Sequence, residues 1–329
     1  MTTEAKNHLD VLDGWRGISI LLVLAGHLLP IGPAKFVLND MTASMGMVLF
    51  FILSGFLITR FLLTHLSVRD FLIRRFFRIV PLAWLALAIT LPLAGAAQSD
   101  YLPNFLFYTN LPPQHLLPAI AHFWSLSVEV QFYLGIAIVV VLLGRRGLML
   151  LPAACIAVTL YRVTQGAHLD IVTSRRVDEI LAGGVLALVH AGKFGRLSGA
   201  LSRPNVFVMI VLLAIASHSE SGFMNYLRPY FAALLIGCTL NNAPGRVSEL
   251  LRSRVLRYIA TISFALYVFH GILTHTWLGS GDKLVKYLKR PLLFAATFAM
   301  AHLSTFYFEQ RWIALGKRLA LRYERSAPA

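Results

Sequence analysis

Ten stretches of this chain are apolar over most of their length: roughly residues 16–32, 43–64, 79–97, 122–143, 148–165, 176–191, 204–218, 226–241, 257–277 and 291–310. Such runs belong in hydrocarbon, and there each backbone N–H and C=O must find its partner within the protein. Successive α-helices meet that demand. Composition points the same way. Of 329 residues 57% are hydrophobic and 14% charged, and the mean hydropathy is +0.68. That leaves too little polar side chain to cover a soluble domain, and it excludes disorder and a disulfide scaffold. The expected fold is all-α: a polytopic transmembrane helical bundle of about 10 spans. At about 20 residues per crossing, ten spans take roughly 200 residues. The remainder makes short loops, so residues 1–329 read as a single transmembrane domain.

The net charge of +15 comes from 30 Lys and Arg against 15 Asp and Glu. The basic residues sit in loops between apolar runs, which is the pattern of the positive-inside rule and not of nucleic-acid binding. Assigned to alternate sides, 21 of them fall with the termini and 9 opposite, four of the nine between Lys283 and Arg290. This predicts cytoplasmic N- and C-termini and a multi-pass protein of the cell inner membrane. Glu4, Asp10 and Asp13 argue against a secretory signal. Cys155 and Cys238 lie inside apolar runs, so neither a disulfide nor a metal site is expected.

Ionisable residues at membrane depth are costly, and each is a functional candidate. Arg16 and His27 are eleven residues apart. That spacing is close to three helical turns and puts them on one face, about 16 Å apart. A neutral His27 imidazole suits a general base acting on a hydroxyl, and Arg16 suits an anion. A hydrogen bond to a neighbouring helix and a snorkelling guanidinium would use the same residues. Arg74, Arg75 and Arg78 form a cluster in which Arg75 and Arg78 share a face. It fits either a phosphate-rich cofactor or anionic lipid. Glu129 follows Trp124 and Ser125 about two turns into an apolar helix, with His27, Arg16 and Arg176 as candidate partners. Arg176 and Asp178 belong to a charge knot, Arg175-Arg176-Val177-Asp178-Glu179, that also fits helix capping. Ser263, Tyr267 and His270 make a polar stripe suited to interhelical hydrogen bonds. The segment from 98 to 121 contains Pro103, Pro112, Pro113 and Pro118 and reads as an ordered re-entrant or capping piece.

These motifs resemble the integral-membrane acyltransferase family 3, which includes O-antigen and exopolysaccharide O-acetyltransferases. Leu9–Gly17 followed by His27 is similar to the family's opening motif of Arg, ten residues and His. Val48–Ile58 resembles its second-helix signature, Arg75–Pro81 its Arg-x-x-Arg motif, and Trp124–Tyr133 its Trp-Ser-Leu-x-x-Glu motif. Arg176–Asp178 and Ser263–His270 resemble weaker elements further along. There are departures. Glu129-Val130-Gln131 stands where Glu-Glu-Gln is usual, and Glu309-Gln310-Arg311 lacks the usual Pro. A fused SGNH-type domain, common in the family, is not expected here.

The resemblance implies a membrane O-acyltransferase that uses acyl-coenzyme A, acetyl-CoA above all, as donor substrate, with no permanently bound cofactor. The acceptor would be a hydroxyl of a saccharide, a lipid-linked saccharide or a glycolipid. His27, Arg16 and Glu129 would be catalytic, and Arg74, Arg75 and Arg78 would bind the donor. Trp124, Ser125, Arg176, Asp178, Tyr267 and His270 would contact substrate. No Gly-x-Ser-x-Gly elbow occurs, so direct transfer is expected over an acyl-enzyme. A secondary transporter of a small anionic or acyl-bearing solute is the competing reading, but the chain lacks the two-half symmetry it would need. His8 and Asp13 match a short His-x4-Asp acyltransferase motif that arises easily by chance.

Overall fold

The computed structural model describes residues 3–65, 67–195, 197–201, 203–242 and 245–326, which are helical with no strand among them. In chain order the α-helices are α1 (Thr3–Leu28), α2 (Leu38–Thr64), α3 (Val68–Leu93), α4 (Gln98–Phe105), α5 (Trp124–Leu143), α6 (Leu151–Thr164) and α7 (Asp178–His190). They continue with α8 (Leu197–Ala200), α9 (Val206–Ser217), α10 (Met224–Asn242), α11 (Gly245–Leu251), α12 (Arg254–Thr274), α13 (Lys283–Leu303) and α14 (Gln310–Ser326).

Every apolar run falls on a helix, but only six helical stretches among the described residues are long and apolar enough to cross a bilayer unaided. One of them, Pro118–Thr164, contains two of the expected spans. The other three expected spans correspond to α7, α9 and α10. α7 and α9 have 13 and 12 residues. At 1.5 Å per residue they are roughly 20 Å long, short of the ~30 Å hydrocarbon core. α10 has 19 residues but carries Asn225 and Arg228 in its first half.

The helix ends follow local chemistry. α1 stops at Leu28, earlier than the run to residue 32 suggests, because Pro30 and Pro33 cannot continue it. Ser67 caps α3 by accepting from the Asp70 N–H, and Asn205 and Asp282 cap α9 and α13 in the same way. Between α13 and α14 the chain widens into one π-helical turn, Ser304–Glu309.

The chain divides into two compact units, Met1–Thr64 with Arg145–Ser263, and His65–Gly144 with Phe264–Ala329. In the first unit α2 packs on α1 and α7. The α2–α7 seam is backbone against backbone. A Cβ on Gly55 would collide with the Ile180 carbonyl, and one on Gly183 with that of Ile52. Without water to expel between helices, such close approach is how spans gain packing energy.

The first unit also buries a charge knot at the junction of α6, α7 and α10. Arg162, Asp178, Glu179 and Arg228 have no measurable exposure, and Arg176 has 3%. Arg162 donates Nη1 to Asp178 Oδ2 at 2.5 Å and Nη2 to the His168 carbonyl at 2.8 Å. Glu179 receives Arg228 Nε at 2.8 Å and has Arg176 Nε at 3.2 Å. Two acids at the start of α7 therefore tie in cations from α6, α10 and the residues just before α7 itself.

In the second unit α3 packs on α5 and α14. Phe77 stacks on Trp312 with ring centroids 6.1 Å apart, and Gly316 leaves room for the Phe77 side chain. The segment before α5 is ordered by side chains: His115 Nδ1 lies 2.9 Å from Asp100 Oδ1, and Gln131 on α5 donates to the Phe107 carbonyl at 2.9 Å.

Two stability effects follow. Gly183→Ala forces α2 and α7 apart and should cost about 1–3 kcal/mol. Gly135→Ala on α5, where a Cβ meets nothing within 4 Å, should stabilise slightly, and thermal unfolding in detergent checks both. Glu179→Gln leaves two buried guanidiniums without their counter-charge and should cost about 3–5 kcal/mol. A Glu179→Gln protein that melts with the wild type would show that the knot does not hold the helices.

Candidate active site

In the first unit the site residues are carried by α1 and the start of α2. Arg16 lies mid-helix on α1, 3.4 Å from Asp13. His27 is in the last turn of α1 with its side chain exposed. The sequence suggested an imidazole deep in a span. The early helix end places it instead one residue from the terminus, where a substrate can approach. The terminus is held by Asn39 of α2. Its Nδ2 donates to the Gly26 and Leu29 carbonyls at 2.6 Å each, and its Oδ1 accepts from the Ile31 N–H at 3.2 Å. One side chain thus satisfies two of the carbonyls that a helix end leaves open. The next residue, Asp40, is a carboxylate whose charge is felt at His27. A carboxylate in that neighbourhood favours the imidazolium that a general base forms. Neither Asn39 nor Asp40 stood out in the sequence, although both precede the apolar run by only a few residues.

The second unit holds the other charged candidates. Glu129 is 4% exposed and accepts from Tyr133 Oη at 2.5 Å, one turn along α5. His27, Arg16 and Arg176, expected as its partners, all belong to the first unit. Within its own unit Glu129, with Tyr133 and Glu309, acts electrostatically on Arg78. Glu309 closes the π-turn, 5% exposed, and accepts from Thr305 Oγ1 at 2.8 Å. It is an acid in an apolar run, so the rule that singled out Glu129 applies to it equally.

The three arginines of α3 differ in their surroundings. Arg74 Nε donates to Asp70 Oδ1 at 2.7 Å. Arg75 lies over the Tyr133 ring, 5.4 Å from its centroid. Arg78, one turn on, feels the charges of Arg75, Glu309 and Glu129.

The remaining candidates are knitted into helix contacts. Ser125 Oγ and Tyr267 Oη are 2.9 Å apart, and the Tyr267 hydroxyl also donates to the His122 carbonyl. His270 is 1% exposed, with Nδ1 2.7 Å from the Tyr267 carbonyl and its ring 4.8 Å from that of His122. Trp124 opens α5 beside this cluster. Ser263, the third member of the expected stripe, donates to the Ala260 carbonyl of its own helix at 2.8 Å. Arg176 and Asp178 are in the buried knot, where their charges meet Glu179 and Arg162. Cys155 and Cys238 are buried with their thiols on the Asp178 and Leu235 carbonyls.

An imidazole at an open helix end can take up a proton, and guanidiniums on a span can hold an anion. The chain is 25% identical to the peptidoglycan O-acetyltransferase OatA of Listeria monocytogenes, over 94% of this chain and 56% of that protein. It is 26% identical to YrhL of Bacillus subtilis, provisionally named as a peptidoglycan O-acetyltransferase, over 82% of this chain and 49% of that one. The chain thus spans about half the length of these curated relatives. No solved structure matches it. The family model described as an acyltransferase domain matches residues 9–309, which takes in both units and the motifs from Arg16 to Glu309: the chain belongs to acyltransferase family 3.

Proposed function

We propose that this chain is a membrane O-acetyltransferase that moves an acetyl group from acetyl-coenzyme A to a saccharide hydroxyl. The relatives' names make a cell-wall saccharide of the peptidoglycan kind the first acceptor to try. The observation that carries the reading is the exposed His27 at the end of α1, a terminus held by Asn39 of α2 on a helix that also carries Arg16.

His27 takes the proton of the acceptor hydroxyl as the oxygen attacks the thioester carbonyl. The C–S bond breaks as the new C–O bond is complete, and the coenzyme A thiolate takes the proton back from the imidazolium. Asp40 steadies that imidazolium. Arg16, about three turns along α1 from His27, offers its charge to the donor. Arg78, with Arg74 on the same helix, supplies cations for the donor's phosphates. Glu129, linked to Tyr133, positions Arg78. The excess of Lys and Arg beside the termini supports a cytoplasmic position for both, on the side where acyl-coenzyme A is found.

Purified full-length chain in nanodiscs, given radiolabelled acetyl-coenzyme A and peptidoglycan fragments, should release free coenzyme A and label the saccharide. Donor hydrolysis without labelled acceptor, for every saccharide offered, would refute the transfer. His27→Ala should lower turnover by about 10²–10⁴-fold while the melting temperature holds. More than about a tenth of wild-type turnover would remove His27 from the base role. Arg78→Gln should raise the KM for the donor well above any rise for the acceptor. Equal rises would mean that Arg78 holds the fold and not the donor.

A further inference from the structure

We propose that an anionic glycerophospholipid binds in the slot between α3 and α5, with its hydrocarbon chain against Val80 and Val130 and its phosphate on Arg75. The slot has a volume of about 410 Å³. It is walled by α3 residues from Leu72 to Val80 and by Val130, Tyr133 and Leu134 of α5, and Arg75 is its one charged member.

Both helices are candidate spans, and both turn apolar side chains outward around the opening. Phe76 is 46% exposed, Leu134 54% and Ile138 59%. The slot therefore opens toward lipid. Its walls beyond Arg75 offer hydrocarbon a dry surface and offer amides no partners. A pantetheine arm, with two amides, would lose hydrogen bonds there.

The position of the cation separates the two amphiphiles further. In a glycerophospholipid the phosphate is only a few bonds from the chains, so a head on Arg75 places a chain at once in the slot. In acyl-coenzyme A the pantetheine separates phosphate from acyl group, so an acyl chain in this slot would leave the phosphates out of reach of Arg75. Arg75 lies over Tyr133, which also lines the slot, and its long side chain can reach a head group. Arg78 is not in the slot's wall. The motif thus divides between two anions, Arg75 for lipid and Arg78 for donor. The assignment is independent of the donor's identity, because its test reads binding and not turnover.

A second apolar pocket, of about 290 Å³ and lined by Cys155, Ala233 and Leu234 among others, has no charged residue in its wall and serves as the control. Full-length protein in detergent is incubated with phosphatidylglycerol or with phosphatidylcholine, and retained lipid is counted by native mass spectrometry. Wild type should retain one phosphatidylglycerol more tightly than phosphatidylcholine. Val130→Trp, which fills the slot, should weaken retention by about tenfold or more. Arg75→Gln should weaken it by about fivefold, the effect of one cation near an anionic lipid. Ala233→Trp in the control pocket should leave it unchanged. Leu134→Trp at the exposed rim blocks the slot without touching the core, and decides the matter if Val130→Trp does not fold. Equal retention of the two lipids, or undiminished phosphatidylglycerol on a folded slot variant, would overturn the proposal.

Discussion

The cost of a charge away from water governs this molecule more than any packing preference. A guanidinium or carboxylate at membrane depth survives only with a counter-charge or a set of hydrogen bonds at hand. Glu179 meets the demand for Arg176 and Arg228, and Asp178 for Arg162. These pairs span α6, α7 and α10, so electrostatic necessity also fixes which helices are neighbours. The seam between α2 and α7 then needs only small residues and close backbones.

The second unit meets the same demand differently. Arg78 feels the charges of Glu309 and Glu129, acids drawn from the π-turn and from α5, and the Tyr133 hydroxyl is bound to Glu129. That differs from the direct pairing of Arg162 with Asp178. In the first unit His27 sits at a helix end with its side chain exposed, where a proton can come and go.

The all-helical class and the position of each apolar run were legible in the sequence, because period and hydropathy are local properties. The crossing capacity of α7 and α9 was not, since it depends on where helices end. Asp178, read as part of a charge knot that could contact substrate, opens α7 as the acid of a buried pair, and Asn205, which did not stand out, caps α9. Of the site, Arg16, His27, Glu129 and the α3 arginines stood out as charges in apolar surroundings. Asn39 and Asp40 did not, because a polar residue at the edge of a run looks like a loop. Arg228 did not stand out at the start of its apolar run, because its burial on Glu179 depends on how α7 and α10 meet. The depth expected for His27 differed for the same reason: Pro30 and Pro33 end α1 before the apolar run ends.

The π-turn at Ser304–Glu309 holds one residue more than an α-helical turn would need. The wide turn takes up that residue locally, so the helix before and after it keeps nearly the phase of one continuous α-helix. Losing one position inside Ser304–Glu309 would therefore leave Trp312 on the face of Phe77, whereas the same loss in regular α-helix would swing everything after it by about 100°. One widened turn thus gives the α13–α14 rod a place where its length can change without changing its register.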